Sequence, residues 1–210
     1  TGIASSETLA EKMAKAGFRI VFLGIENVSK ENLKNLKKGN IIEKTKIAVK
    51  RLHEQGIMIV GGMIIGLPND KEEDIAENYE FFVGLDIDFF AVQLLTPYPK
   101  TPLREEMIEK GLVTNKYDYS RYNCFWANIR TNYLTPDELQ FLRWKYNKKY
   151  ADYICTTKAF IKNYPAAYYY RTYFLRPYRK LKNSIFHNKL TERELYREDM
   201  NRAEEMNKFF

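Results

Sequence analysis

The first hundred residues repeat one pattern three times: a polar stretch with helical periodicity, a glycine, and a run of apolar residues. Glu7–Lys15 stops at Gly17 and Arg19–Ile25 follows. Glu43–Gln55 stops at Gly56 ahead of Ile57–Ile65, and Lys71–Val83 stops at Gly84 ahead of Ile87–Leu95. Ala48, Val49 and Leu52 share one face of a 3.6-residue period, as do Ile75, Tyr79 and Phe82, so each polar stretch predicts an amphipathic helix. Glycine just past a helix supplies the left-handed C-cap conformation. Asp70 and Glu73 have the spacing of N-cap and N3 in a capping box. The apolar runs are continuous rather than alternating, which predicts strands buried on both faces, as in a parallel sheet with right-handed crossovers.

After residue 100 the pattern changes. Leu112–Arg130 is irregular and aromatic. Thr135-Pro136-Asp-Glu138 combines an N-cap Thr, a Pro at N1 and a Glu at N3, predicting a long helix to about Ile161 that Pro165 ends. Ala166–Leu175 predicts a further helix stopped near Pro177. Thr191 and Glu194 form another capping box, opening a charged terminal helix to about Asn207.

Composition divides the chain at the same place. Residues 1–100 carry 13 Lys+Arg against 14 Asp+Glu, and the remainder 21 against 13; 14 of the 16 tyrosines lie after residue 100. A boundary between residues 100 and 130 follows, and we place the two parts at 1–115 and 116–210. No run of about 18 apolar residues predicts a membrane span. The start at Thr1, with neither Met nor a signal-peptide pattern, suggests a piece of a longer protein. Cys124 and Cys155 make no disulfide framework, which fits a reducing cytoplasm.

In parallel α/β architectures ligands meet the carboxyl ends of the strands. Three sequence positions fall there. Glu26 closes the first strand, where a carboxylate either accepts from two vicinal ribose hydroxyls or interacts with the dipole of the helix expected after Ser29. Gly61, Gly62 and Gly66 mark the second strand; glycine there signals either a close backbone approach, as to a flat base, or packing space between helix and sheet. Thr96-Pro97-Tyr98-Pro99-Lys-Thr-Pro102 closes the third strand in a loop held rigid by its prolines. Tyr98 either stacks on a ligand or packs locally. Gln93 either points into a barrel interior or satisfies a neighbouring backbone group. His53 lies on the second helix away from the strand ends, and His187 lies in a basic linker. The cysteines and histidines lack zinc or cluster spacing, and no Walker loop or Gly-x-Ser-x-Gly occurs. Arg171, Arg176, Arg179, Lys180 and Lys182 interleave with tyrosines. That pattern suits nucleic acid or anionic lipid, or a solvated helix that packs its tyrosines inward.

In order along the chain stand Ala16-Gly17-Phe-Arg-Ile-Val-Phe-Leu-Gly-Ile-Glu26, Leu33 with Lys37-Lys38, Gly62-Met-Ile-Ile-Gly66-Leu-Pro68, and Leu95-Thr-Pro-Tyr-Pro-Lys-Thr-Pro-Leu103. This ordered set resembles the latter half of a radical S-adenosylmethionine (SAM) enzyme, most like the Fe-S oxidoreductases that carry an upstream cobalamin-binding domain. The resemblance covers about residues 1–120. It implies an α/β fold: the last three βα units of a partial TIM-like (βα)6 barrel, followed by a mostly helical extension. It implies a [4Fe-4S] cluster that reduces SAM to methionine and a 5′-deoxyadenosyl radical, for radical chemistry or methyl transfer on a small-molecule substrate, with cobalamin as a further cofactor in some members. Carried over by position, Glu26 matches the ribose contact. Gly62, Ile64 and Gly66 match the strand whose backbone meets adenine, and Thr96, Pro97 and Tyr98 match the segment lining that pocket. The cluster-binding Cys-x3-Cys-x2-Cys loop is absent, and Pro68-Asn69-Asp70-Lys71 replaces the usual Pro-Gly-Glu-Thr. The resemblance therefore places the cluster ligands upstream in the same polypeptide and implies an inactive fragment. An open half-barrel also leaves a strand edge that either self-associates or is covered by the chain's own C-terminal helices. The alternative is a non-enzymatic module that binds nucleic acid or anionic lipid through its basic, Tyr-rich half.

Overall fold

The computed structural model describes residues 2–28, 42–186 and 190–207. The helix expected after Ser29, the Leu33 and Lys37-Lys38 positions of the resemblance, and His187 lie outside these residues. Two short helices, α1 (Gly2–Ser5) and α2 (Leu9–Lys15), precede strand β1 (Ile20–Glu26). Then come α3 (Ile42–Glu54), β2 (Met58–Ile65), α4 (Glu72–Gly84) and β3 (Phe89–Leu94). The strands form one parallel sheet in the order β1-β2-β3. This is the parallel α/β sheet that the helix–strand alternation predicts, and it is consistent with the partial TIM-like fold that the resemblance implies.

The pleat sends alternate residues to opposite faces. On one face Ile59, Met63 and Ile65 pack with Leu52 of α3 and with Ile75, Tyr79 and Phe82 of α4, all of them fully buried. Gly61 belongs to this face: a Cβ there would lie 3.0 Å from Ile87 and 3.1 Å from Phe82. The same core continues across residue 115 to Leu139, Leu142 and Tyr146. On the opposite face Met58 and Phe89, low on the sheet, meet Cys155, Ala159 and Phe160, while Ile20 and Phe22 of β1 are about half exposed.

Beyond β3 lie α5 (Pro102–Glu109), an irregular aromatic stretch, α6 (Pro136–Lys149), α7 (Lys158–Asn163), α8 (Pro165–Tyr170), a π-helical turn (Arg171–Leu175), α9 (Arg176–Phe186) and α10 (Glu192–Asn207). Among the described residues no helix is long and apolar enough to cross a membrane. The outer edge of β3 is covered from within the chain: Arg143 Nε donates to Val92 O at 3.0 Å, and Leu94 N–H donates to Cys124 O at 2.9 Å.

Six expectations need correction. Not every strand is buried on both faces, because β1 leaves Ile20 and Phe22 about half exposed. The cap of α4 is shifted by one residue and is half a box: Lys71 is the N-cap and its N–H donates to the Asp74 carboxylate at 2.9 Å, while its side chain has no acceptor to offer the N3 N–H. Asp70 is drawn away by the two buried N–H groups of the preceding turn. The left-handed residue after α4 is Asp86 (φ 54°), not Gly84, which ends the helix. The helix from Thr135 stops at Lys149 instead of Ile161. Cys155 takes a left-handed φ of 61° and donates its N–H to Asp88 O, and Thr157 caps α7 afresh through Phe160 N–H at 3.1 Å. Pro177 does not end a helix: the π-helical turn lies just before it, covering the i−4 position where a proline ring clashes. The tyrosines between residues 169 and 178 face outward, as developed below.

Candidate functional site

The open face of the sheet builds upward from its register. Gly24 stands opposite Gly62, and Gly62 opposite Ala91, so three small residues lie in one row across three strands. This makes a low shelf among bulkier neighbours. The Phe22 ring lies against it: a Cβ on Gly62 would come within 2.6 Å of Phe22 Cζ. Immediately above the shelf, Ile64 stands opposite Gln93, which is exposed, and Glu26 stands opposite Met63. Gly62, Ile64 and Gln93 share the open face at the carboxyl end of the sheet, and the strand shift sets Glu26 at the same end, opposite Met63 of the helix-covered face.

Glu26 occupies a β-bulge. The pairing steps from Gly24 opposite Gly62 to Glu26 opposite Met63, so β1 carries one extra residue there. The backbone of Glu26 is left-handed, with φ 71°. For a residue with a Cβ this costs on the order of 1–2 kcal/mol, and such strain persists only where its surroundings fix it. The surroundings are visible. Asn27 is buried and reaches Ile64 O with its side-chain amide at 3.5 Å, while Val28 N–H donates to Asn78 Oδ1 at 2.8 Å. Asn78 in turn is held by Asp74 O of α4. The extra residue re-aims the strand end, which is what bulges near sites commonly do.

Gly66 ends β2 with φ +87°, a conformation that favours glycine. Its N–H and that of Leu67 both donate to Asp70 Oδ2, at 2.9 and 3.0 Å. Asp70 is fully buried, its carbonyl accepts from Thr131 Oγ1 at 2.9 Å, and Pro68 O accepts from Asn132 N–H at 2.8 Å. The turn after β2 is thus fastened both to its own aspartate and to the segment leading into α6.

The loop after β3 is fastened by Arg104. Its guanidinium is buried and donates to Pro97 O at 3.0 Å, Lys116 O at 2.7 Å and Tyr122 Oη at 2.6 Å. Thr101 caps α5, accepting from Arg104 N–H, and donates its hydroxyl to Tyr98 O at 2.7 Å. Thr96 and Pro97 are buried, and Thr96 Oγ1 donates back to Leu94 O. Tyr98 is half exposed, and its hydroxyl lies 3.3 Å from Cys124 Sγ. That hydrogen bond holds the Tyr98 phenol above its ordinary pKa, so it is a neutral hydroxyl at physiological pH.

Sequence reasoning missed Asn27, Asn78, Arg104 and the double role of Asp70. The signal for α5 was present in Thr101-Pro102, an N-cap followed by Pro at N1. The other partners sit too far apart in sequence to be paired by pattern. His53 is at the other end of the sheet. Its Nε2 lies 3.0 Å from the fully buried carboxylate of Asp88, which also accepts from Ile59 N–H and Thr157 Oγ1. No cluster of three or more His, Cys, Asp or Glu suited to a metal ion occurs among the described residues. The described residues therefore do not fit an iron–sulfur centre. They present a shelf, a carboxylate and polar groups suited to an organic ligand.

Parts of the chain are similar to known proteins. The Radical SAM superfamily model matches residues 1–82. Bacteriochlorophyllide d C-12(1)-methyltransferase of Chlorobaculum tepidum is 30% identical over 118 residues, covering 56% of this chain and 25% of that protein. An uncharacterized methyltransferase of Pyrococcus horikoshii is 28% identical, covering 75% of this chain and 34% of that protein. Anaerobic magnesium-protoporphyrin IX monomethyl ester cyclase of Cereibacter sphaeroides is 29% identical, over 66% of this chain and 22% of its own length. The chain thus spans between 22% and 34% of the length of these relatives. The fold of coproporphyrinogen III oxidase from Escherichia coli, a radical SAM enzyme, superposes with a TM-score of 0.52 at 14% identity, over 70% of this chain and 30% of that one. Over its first 82 residues, the part that the family model matches, the chain is similar to the radical SAM superfamily.

Proposed function

We propose that the whole protein is a radical SAM enzyme and that this chain supplies the adenosyl-facing part of its barrel. In this reading Glu26 accepts hydrogen bonds from the ribose hydroxyls. The backbone near Ile64 and Gly66 faces the adenine, beside the Gly24–Gly62–Ala91 shelf against which the Phe22 ring lies. Gln93 and the Thr96–Tyr98 loop border the same pocket. The Gly66 N–H is engaged by Asp70, so Asp70 shapes the turn and leaves adenine contacts to other groups of the strand. The cluster, when bound elsewhere in the protein, supplies the electron that cleaves SAM. This chain's residues bind and orient the nucleoside. Methyl transfer is the reaction class we favour, because two of the relatives above are named methyltransferases; cobalamin is a cofactor compatible with it.

The observation that carries the reading is the bulged, left-handed Glu26 at the carboxyl end of β1, beside the small-residue shelf. Its test is equilibrium binding of SAM to the full-length protein with its cluster reconstituted. Glu26→Ala removes two charge-assisted hydrogen bonds, each worth about 1.5–3 kcal/mol, so SAM affinity should fall by at least about tenfold. SAM affinity equal to wild type in a folded Glu26→Ala protein would remove Glu26 from the site.

A further inference from the structure

The segment 165–186 runs as one helical arm through α8, the π-helical turn and α9. It contains Arg171, Arg176, Arg179, Lys180 and Lys182 and no acidic residue. Its orientation reverses that of an ordinary surface helix. Arg176, Arg179, Lys180, Lys182 and Asn183 border a cavity of about 600 Å³ between the arm and helices α6 and α10. Tyr170, Tyr173, Phe174, Tyr178, Leu181 and Ile185 are turned to solvent, each between 60% and 67% exposed. The last four recur at the helical spacing of three and four residues, and Tyr170 stacks on Phe174 with ring centroids 6.2 Å apart, extending the stripe across the π-helical turn.

We propose that this arm docks on the surface of an anionic lipid bilayer. A continuous apolar stripe of this size marks an interaction surface. Aromatic and aliphatic side chains on one face, with cations and no acids on the rest, are the features of a helix lying in the headgroup plane. Arg171 and Arg176 tie the arm to the body by donating to Ala151 O and Asp152 O. Arg179, Lys180 and Lys182 border the cavity yet stay exposed, and from there their long side chains extend past the arm's flanks toward lipid headgroups. Other occupants fit less well. A second copy of the arm would bring five cations against five. A nucleic acid would need flat platforms, but Leu181 and Ile185 offer none, and the aromatic rings upstream already stack in pairs, Tyr169 on Tyr173 and Tyr170 on Phe174. A bilayer supplies a negative surface and an apolar interior together. This docking goes beyond SAM chemistry and does not depend on it.

The test is co-sedimentation of the 210-residue chain with vesicles of phosphatidylcholine and phosphatidylglycerol in equal parts, and with vesicles of phosphatidylcholine alone. The expected result is binding to the mixed vesicles that weakens with salt and is much poorer on the neutral ones. Replacing Phe174, Leu181 and Ile185 together by Ser, at exposed positions, should lower the partition coefficient at least tenfold. Lys180→Glu with Lys182→Glu, which leaves the apolar stripe intact, should lower it by about tenfold or more. Failure to pellet with the mixed vesicles would overturn the proposal. So would equal partition onto neutral vesicles, or binding unchanged in both variants. A chain that elutes as a dimer, becomes monomeric in the triple variant and ignores vesicles would assign the stripe to self-association instead.

Discussion

Asp70 offers the sharpest energetic test of how the site is held. Its Oδ2 is the acceptor for both Gly66 and Leu67 N–H, at 2.9 and 3.0 Å, in a turn with no exposed surface at Asp70 itself. Asp70→Ala leaves these two donors without that acceptor. A buried donor left unpaired costs about 1–3 kcal/mol, so the pair costs about 2–6 kcal/mol, out of a total stability of roughly 5–15 kcal/mol for a typical domain. Asp70→Asn keeps an oxygen with two lone pairs but loses the charge, and charged acceptors are about twice as strong as neutral ones. It should therefore lose about half as much. Urea unfolding followed by the fluorescence of Trp126 and Trp144 reads both values by linear extrapolation. A loss below about 1 kcal/mol for Asp70→Ala would refute the role of this carboxylate. Equal losses for Ala and Asn would show that charge rather than acceptor geometry matters.

Two neighbouring glycines should behave differently. Gly66→Ala forces a side chain into φ +87° and within 3.3 Å of Ile129, whereas the one close approach to a Cβ on Gly62 is the far end of the exposed Phe22 ring, Leu23 O lying at an ordinary 3.5 Å. Gly66→Ala should cost about 1–2 kcal/mol or more, while Gly62→Ala should stay within about 0.5 kcal/mol of wild type in the same unfolding assay. Burial of Tyr79, whose hydroxyl donates to Asn147 Oδ1 at 2.9 Å, pushes its pKa far above the ordinary value. The phenol is neutral in the fold when an unfolded tyrosine ionises near pH 10. The stabilisation from this group is full below that pH and declines as pH rises through it. Tyr79→Phe should flatten the alkaline loss of stability, and an unchanged slope would exclude Tyr79 as its source.

Local signals carried much of the architecture into the sequence. The three helix–strand units stand where periodicity and glycine put them, because each helix buries one stripe and the central strand β2 is buried on both faces, whereas β1 leaves one face partly exposed. The capping boxes at Thr135 and Thr191 are formed by Glu138 and Glu194. What pattern reading lacked was competition between distant partners. Asp88 reaches His53, Ile59 and Thr157, so Thr157 starts a new helix where local propensity favoured one long one. Asp70 fits an N-cap by spacing, yet two buried N–H groups across the turn hold it. The outward tyrosines follow from the tethering of Arg171 and Arg176 to the 151–152 backbone, which sets the rotation of the arm. In the site, the position of Glu26 at a strand end was legible, but its bulge was not. It depends on Asn27 and Asn78, 51 residues apart in sequence, and no local motif links them.

The most direct test of the proposed chemistry uses the full-length protein, with its iron–sulfur centre reconstituted without oxygen. SAM and a strong reductant are added and 5′-deoxyadenosine is quantified, with Glu26→Gln run in parallel. The expected result is deoxyadenosine that requires both cluster and reductant and that falls in Glu26→Gln together with SAM affinity. A protein that takes up no cluster and neither binds nor cleaves SAM would contradict the radical SAM assignment of its activity.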